Sequence, residues 1–221
     1  MSPVRAVLFD YAGVLGTLPF DGVAEWEREM GYPEGATFRV IMRGDYLDAA
    51  SGHPFHAVET GEVGLDEFLA DAAVGSEELL GGRRFDSDAY LRFLAEPRFG
   101  AQWPIVHRAR DLRADGYRVG IVTNNIRAWE AIWTSTIPLD WFDEVVDSCV
   151  VGMRKPDAAI YLHACEQLEV SPSEAVFLDD MSINVEGARA VGMYGVHVRD
   201  VSQALADLDR IIAGSGAGAD G

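Results

Sequence analysis

A strand pattern near the N-terminus constrains the fold of this chain more than any other feature. Residues 4–9 read Val-Arg-Ala-Val-Leu-Phe and are apolar apart from Arg5. This pattern and length are typical of a strand buried on both faces of a parallel sheet. Asp10 ends the run, at the edge of the sheet where ligands bind in open α/β folds. An Asp after a strand is also a common turn residue, so Asp10 alone leaves both interpretations open.

Strand and helix patterns alternate regularly in the C-terminal half of the chain. Strands are predicted at 117–122, 144–149, 175–178 and 194–198. Helices are predicted at 104–114, 127–133, from Lys155-Pro156 to Leu168, at 184–191 and at 201–212. Together with the first strand, this order predicts an α/β fold with a Rossmann-like parallel sheet. Residues 214–221 are rich in Gly, Ala and Asp, which predicts a disordered tail.

The stretch between the first two predicted strands is helical. Helices are predicted at 23–30, from Thr37 to Leu47, at 65–70 and at 89–94, the last entered from the capping residues 86–88. Residues 51–56 are predicted to form a turn, with His53 and His56 as ordinary loop histidines. We therefore expect a small helical cap domain at 18–96, inserted between the two parts of an α/β core at 1–17 and 97–213.

The charge balance excludes some classes of partner. The 221 residues include 36 acidic and 18 basic side chains, for a net charge of −18. This charge disfavours binding to nucleic acid or to a membrane surface, although a metal ion or a lysine can reverse its sign inside a cleft. Two cysteines, Cys149 and Cys165, do not make a disulfide framework. With no leader or membrane-spanning pattern, the expected location is the cytoplasm, as a monomer or homodimer.

Polar residues stand where four predicted segments begin or end: Asp10, Thr123-Asn124, Lys155 and Asp179-Asp180. Lys155 is the one lysine among the 18 basic residues, which suggests that a compact ammonium is needed there. A carboxylate can act as a nucleophile, and hydroxyl and amide groups can bind oxyanions. A second carboxylate can share a Mg²⁺ ion with the first. As an ordered set, these groups contain the parts needed for phosphoryl transfer.

This ordered set resembles the four motifs of the haloacid dehalogenase-like (HAD) hydrolase superfamily, in the subgroup with a helical cap after the first motif. Within it, the chain is similar to the N-terminal phosphatase domains of soluble epoxide hydrolases. The resemblance rests on Phe9-Asp10 with Gly13-Val14-Leu15, Thr123-Asn124, Val151-Gly152-Met153 with Lys155-Pro156, and 171–174 running into 177–180 with Asn184. It covers the chain to about residue 212.

The resemblance implies a role for each matching residue and a small phosphorylated molecule as substrate. Asp10 is expected to be the nucleophile, Thr123 and Asn124 to bind the phosphoryl group, and Lys155 to bridge the nucleophile and the phosphate. The Mg²⁺ cofactor is expected on Asp10, the backbone carbonyl of residue 12 and Asp180. Asp179 and Asn184 are expected to hold metal-bound water or Lys155 in place, without binding the metal ion themselves.

One position departs from the phosphatase pattern. The family places a second Asp two residues after the nucleophile, as general acid and base, and this chain has Ala12 there. Three interpretations follow: a phosphatase that uses good leaving groups or another acid, a non-catalytic protein that binds a phosphometabolite or a partner, and a metal-free haloacid dehalogenase. The paired acids Asp179-Asp180 argue against the dehalogenase.

Overall fold

A five-stranded parallel sheet forms the centre of the molecule, in the computed structural model, which describes residues 3–17, 22–46, 48, 51–96 and 100–216. The strands are β1 (Ala6–Phe9), β2 (Arg118–Thr123), β3 (Glu144–Asp147), β4 (Ala175–Asp179) and β5 (Tyr194–His197). Their order is β3-β2-β1-β4-β5, and every pair is parallel. The predicted Rossmann-like α/β fold is confirmed. The earliest strand lies in the middle and is hydrogen-bonded on both sides.

In the described part of the chain, the first five α-helices after β1 form the predicted helical cap: α1 (Val23–Met30), α2 (Ala36–Ile41), α3 (Pro54–Glu59), α4 (Leu65–Ala72) and α5 (Ser87–Leu94). Their apolar faces pack around a cluster of their own that includes Trp26, Leu69 and Phe93. Residues 18–21 and 97–99 lie outside the described part of the chain, so the domain limits stay a prediction.

Two cap predictions differ from the structure. Helix α2 ends at Ile41, short of the predicted end at Leu47, which lies outside the described residues. The predicted turn at 51–56 contains the start of α3, and both of its histidines are buried. The His53 side chain caps α3 by accepting a hydrogen bond from the backbone N–H of Phe55. An imidazole is not one of the usual capping groups, which explains why the sequence pattern did not reveal this helix.

Six helices accompany the later strands: α6 (Trp103–Ala114), α7 (Glu130–Trp133), α8 (Ser148–Val151), α9 (Ala158–Gln167), α10 (Ser182–Ala190) and α11 (Val201–Gly216). Because side chains alternate along a strand, Val7 and Phe9 lie in one apolar cluster and Leu8 lies in another. The first cluster includes residues of α6 and α11, and the second includes residues of α9 and α10. Burial on both faces explains the continuous apolar pattern of β1.

Among the core boundaries that differ from prediction, three have a cause in the hydrogen bonding. Strand β3 ends at Asp147, because its carboxylate accepts the backbone N–H of Cys149 and starts α8. Helix α9 begins at Ala158 rather than at Lys155-Pro156, since the Asn124 amide binds both backbone groups of Lys155. Helix α11 continues to Gly216, into the predicted tail, where Ser215 accepts the backbone N–H of Val4. Residues 217–221 lie outside the described part.

A helix that crosses a membrane must be long and apolar enough to span the hydrocarbon core of a bilayer. Among the described helices, none combines the length and the apolar character needed to cross a membrane.

Candidate active site

The site is built at the carboxyl ends of two adjacent strands. Asp10 directly follows β1, and Asp179 is the last residue of the neighbouring β4. The backbone N–H of Asp10 donates to the carbonyl of Leu178 at 2.8 Å, which continues the ladder between the two strands. Both carboxylates are buried, with 6% of Asp10 and 0% of Asp179 exposed. The parallel register therefore brings together two acidic residues that are far apart in sequence.

Lys155 joins these two carboxylates. Its ammonium Nζ lies 2.7 Å from Oδ1 of Asp10 and 2.7 Å from Oδ2 of Asp179, and only 1% of the residue is exposed. The Nζ also lies 5.3 Å from the centre of the Phe177 ring. The backbone of Lys155 is fixed by Asn124, whose amide donates to its carbonyl and accepts from its N–H. The Lys155 side chain is thus fixed at its backbone by Asn124 and at its ammonium by the two carboxylates.

Asp179 fixes Lys155 and the first residues of α10 in place. Besides Lys155, it accepts the backbone N–H of Met181 at 2.7 Å and the side-chain amide of Asn184 at 3.1 Å. The main-chain carbonyl of Asn184 in turn accepts a hydrogen bond from the buried hydroxyl of Tyr161 at 2.8 Å. Both oxygens of the Asp179 carboxylate are therefore engaged within the protein.

The carboxylates of Asp10, Asp179 and Asp180 form an acidic cluster. One oxygen from each lies within 4.8 Å of the others, close enough to share one cation. Three carboxylates face one buried ammonium, which leaves an excess of negative charge. Oxygen donors with this charge fit a hard divalent ion such as Mg²⁺. Asp10 and Asp180 would hold it, because Asp179 is occupied by its other partners.

Gly13 allows Asp180 to approach the site. Its φ of +82° favours glycine, and a Cβ at this position would lie 2.6 Å from Cγ of Asp180. The glycine that follows the first strand therefore has two reasons to lack a side chain, one conformational and one steric.

Burial changes the pKa values of these groups. Desolvation raises the pKa of Asp10 well above its ordinary value, although the Lys155 ammonium opposes the shift. Desolvation also raises the pKa of Asp180, and the negative charge of Asp179 adds to it. For Lys155, burial alone would lower the pKa, but the charges of Asp10 and Asp179 outweigh it and the pKa is raised. The ammonium stays protonated, and the carboxylates would be stabilised by an added positive charge.

Three consecutive polar residues stand at the end of β2, and two of them bind other parts of the protein. Thr123 is the last residue of β2 and is 2% exposed, and Asn124 and Asn125 line the cavity described below. Asn124 is engaged in fixing the Lys155 backbone. The side-chain amide of Asn125 donates to Asp147 at 2.9 Å, and its backbone N–H donates to the hydroxyl of Ser148. The sequence pattern did not mark Asp147 or Ser148 as site residues, because it predicted that the strand runs through both of them to residue 149.

A cavity of about 560 Å³ lies between the cap and these strand ends. Its polar end contains Asp10, Lys155, Asp180 and Asn184, and Ala12 also lines it. Its cap side is lined mostly by apolar side chains, among them Val23, Ile41, Phe55, Leu65, Leu69 and Leu94. The volume is in the range of pockets that enclose small molecules.

The chain matches a family model. Residues 4–192 fit the model described as haloacid dehalogenase-like hydrolase. A match of this extent shows the family, and the chain belongs to the haloacid dehalogenase-like hydrolases. The resemblance noted from the sequence is thereby confirmed, whereas the role of each site residue stays a prediction.

Individual relatives agree with this assignment. The chain is 30% identical to phosphatase MT3486 of Mycobacterium tuberculosis, over 99% of this chain and 98% of that protein. It is 28% identical to bifunctional epoxide hydrolase 2 of Sus scrofa, over 94% of this chain but only 39% of the pig protein's length. The HAD family enzyme BT-2542 of Bacteroides thetaiotaomicron, solved with magnesium and inorganic phosphate, has the same fold. There the TM-score is 0.66 at 20% identity, covering 90% of this chain and 98% of that one.

Proposed function

We propose that this protein is a Mg²⁺-dependent phosphatase that forms a covalent phosphoryl intermediate on Asp10. The observation that carries the proposal is the buried Lys155 ammonium, 2.7 Å from both Asp10 and Asp179, beside the carboxylate of Asp180. The phosphatase names of relatives such as MT3486 support it. So does the neighbour BT-2542, whose structure holds magnesium and inorganic phosphate.

The first step is an attack by Asp10 on phosphorus. Oδ1 of Asp10 accepts the backbone N–H of Tyr11 at 2.7 Å and binds Lys155, so the carboxylate is fixed in orientation. The other oxygen forms the bond to phosphorus while the bond to the leaving oxygen breaks, and water later cleaves the acyl phosphate. Lys155 neutralises charge on the nucleophile and the transferring group. When bound, Mg²⁺ would supply further neutralisation of the phosphoryl oxygens.

Ala12 limits the range of leaving groups. A methyl group cannot donate a proton to the departing oxygen or activate water, work typically worth about two to four orders of magnitude in rate. The fastest substrates are therefore expected to be those whose leaving oxygen needs no proton, such as aryl phosphates.

The cavity suggests the class of substrate. The phosphate would lie at the polar end, beside Asp10 and Lys155, and the organic group would extend toward Leu65, Leu69 and Leu94 of the cap. An apolar organic group gains free energy from this mostly apolar lining, whereas a sugar would leave most of its hydroxyl groups without partners there. We therefore propose a phosphate monoester with an apolar organic group.

Hydrolysis assays test both parts of the proposal. We expect Mg²⁺-dependent hydrolysis of p-nitrophenyl phosphate, abolished by a chelator and by Asp10→Asn. In a series from ethyl to decyl phosphate, kcat/KM is expected to rise by up to about fourfold per methylene until the cavity is full. A flat series, or a preference for sugar phosphates, would refute the apolar substrate and leave the phosphatase intact. Halide release from haloacids that persists with a chelator would point to a dehalogenase.

Ala12 also favours a second function, a protein that binds a phosphorylated ligand without turnover. In that case Mg²⁺ with inorganic phosphate would raise the melting temperature, and no phosphate ester would be hydrolysed. Asp10→Asn separates the two functions, because it would remove turnover in a phosphatase but change nothing except affinity in a binding protein.

A further inference from the structure

A buried ion pair joins the cap to the core next to the candidate site. Glu59, the last residue of α3, lies with Oε2 2.8 Å from Nε of Arg154, the residue before Lys155. The two side chains are 5% and 8% exposed. The second carboxylate oxygen of Glu59 accepts the hydroxyl of Tyr46 at 2.8 Å, so both of its oxygens are engaged.

The main chain of Glu59 is anchored to the core as well. The hydroxyl of Ser148 donates to its backbone carbonyl at 2.6 Å and accepts the backbone N–H of Asn125 at 2.9 Å. The cap therefore contacts the loop after β2 through Ser148 and the Lys155 segment through Arg154. From the core side, Asn124 binds the backbone of Lys155.

The charges of neighbouring residues explain why the Glu59–Arg154 ion pair affects the position of Lys155. Two adjacent cations, Arg154 and Lys155, are buried in succession, and each needs its own anionic partner. Glu59 supplies the partner for Arg154, so that the carboxylates of Asp10 and Asp179 are left to Lys155 alone. Without Glu59, the guanidinium would have to reach water or compete for those carboxylates, and either movement would shift the adjacent peptide.

We propose that Glu59 is a positioning residue for Lys155, acting through the buried guanidinium of Arg154. Docking of the cap then sets the position of the ammonium against Asp10. The inference rests on the proposed function only in assigning Lys155 to phosphate binding.

The single lysine of the chain makes a direct test possible. In protein labelled with ¹⁵N-lysine, the side-chain ammonium gives one NMR signal, which comes from Lys155. We expect a slowly exchanging signal in the wild type, and a shifted, rapidly exchanging signal in Glu59→Gln. With p-nitrophenyl phosphate, Glu59→Gln is expected to lower kcat/KM by at least about tenfold, a modest part of what charge stabilisation contributes. Glu62→Gln, an exposed change three residues along the chain, is the matched control and should alter neither readout.

A double variant tests whether Glu59 acts through Arg154. Removing both partners of a buried pair is often neutral for stability, whereas removing one is costly. Glu59→Gln with Arg154→Met leaves no unpaired guanidinium beside Lys155, so it is expected to melt near the wild type and to restore the Lys155 signal and kcat/KM. If the signal and the activity stay altered in a double variant that melts near the wild type, Glu59 does not act through Arg154 and the proposal is wrong. An unchanged ammonium signal in Glu59→Gln would overturn it too. Were the wild type to show no hydrolysis, the proposed function would fail, and the NMR comparison would still test the positioning.

Discussion

Two adjacent residues, Ala12 and Gly13, define much of what the candidate site can do. Ala12 lines the cavity but brings no proton donor or acceptor in its side chain. Gly13 gives Asp180 the space to reach the acidic cluster. One residue thus limits the chemistry and the next permits the cation site, so each predicts a specific effect of substitution.

Restoring the missing carboxylate is expected to raise activity. Ala12→Asp should accelerate hydrolysis of alkyl phosphates by about 10²-fold or more, because a general acid can then protonate the leaving oxygen. Aryl phosphates should gain much less. Ala12→Asn has nearly the same shape without the acid and is the control in steady-state assays. If a folded, Mg²⁺-binding Ala12→Asp variant shows no gain on alkyl phosphates, the account of the missing acid is wrong.

Gly13→Ala is expected to weaken Mg²⁺ binding. Gly116 offers a matched control, because its φ of +93° is also positive but no atom lies within 4 Å of an added Cβ. Both alanine variants should lose about 1–2 kcal/mol of stability to the left-handed backbone. Only Gly13→Ala should also lower the Mg²⁺ affinity, since its Cβ displaces Asp180. Mg²⁺ titrations of the two variants that gave equal affinities would contradict the steric role of Gly13.

At the scale of secondary-structure elements, helix α3 depends on two neutral histidines. Nδ1 of His53 accepts the N–H of Phe55 at 3.1 Å, and its Nε2 contacts the carbonyl of Arg43 at 2.9 Å. Nε2 of His56 contacts the carbonyl of Tyr46 at 2.8 Å. A neutral ring with its proton on Nε2 satisfies these contacts, whereas a proton on Nδ1 of His53 would break the helix cap.

The cap is therefore expected to lose stability in mild acid. Burial lowers the pKa of His53 and of His56 below the ordinary histidine value. The unfolded chain thus takes up protons first, and the free energy of unfolding falls as the pH drops below about 6.5. Urea unfolding between pH 8 and pH 5 measures this fall. His53→Asn keeps a capping group that does not titrate and should flatten the curve; an equally steep curve would assign the effect to other groups.

The elements were predictable to different degrees. The strand pattern and the Asp86 cap predicted β1 and α5 closely, because both signals are local in sequence. The start of α9 was not predictable, since Asn124 holds Lys155 out of the helix from 31 residues away. Helix α3 was missed because its capping group is an imidazole.

For the whole molecule, topology is what made the candidate site predictable. A parallel sheet brings strand ends together whatever their sequence separation, so Asp10 and Asp179 could be paired in advance. The cap–core contacts carried no such signal. Glu59 and Arg154 are 95 residues apart, and Arg154 lies inside the 151–156 motif without being one of the residues that carry the resemblance. Sequence patterns thus predicted the acidic residues at the strand ends, whereas the contact between Glu59 of the cap and Arg154 of the core became visible only in the structure.

Global packing also protects the two thiols. Burial raises the pKa of Cys165 to about 11 and, together with Asp147, that of Cys149 to about 12. In the folded protein at pH 8, both are expected to be neutral and slow to react with iodoacetamide, and in urea both should react at the rate of free cysteine. Mass spectrometry counts the labels. Rapid labelling of either thiol under native conditions would show that its region opens without global unfolding.

The buried position of Lys155 has a consequence for the covalent chemistry of the chain. All other basic side chains are guanidinium groups, and the one ε-amine is 1% exposed. Acyl donors, aldehydes and amine-coupling resins would therefore find no lysine on the folded surface. Acetylation or ubiquitin transfer to a lysine would first require the contacts of Lys155 with Asp10 and Asp179 to break.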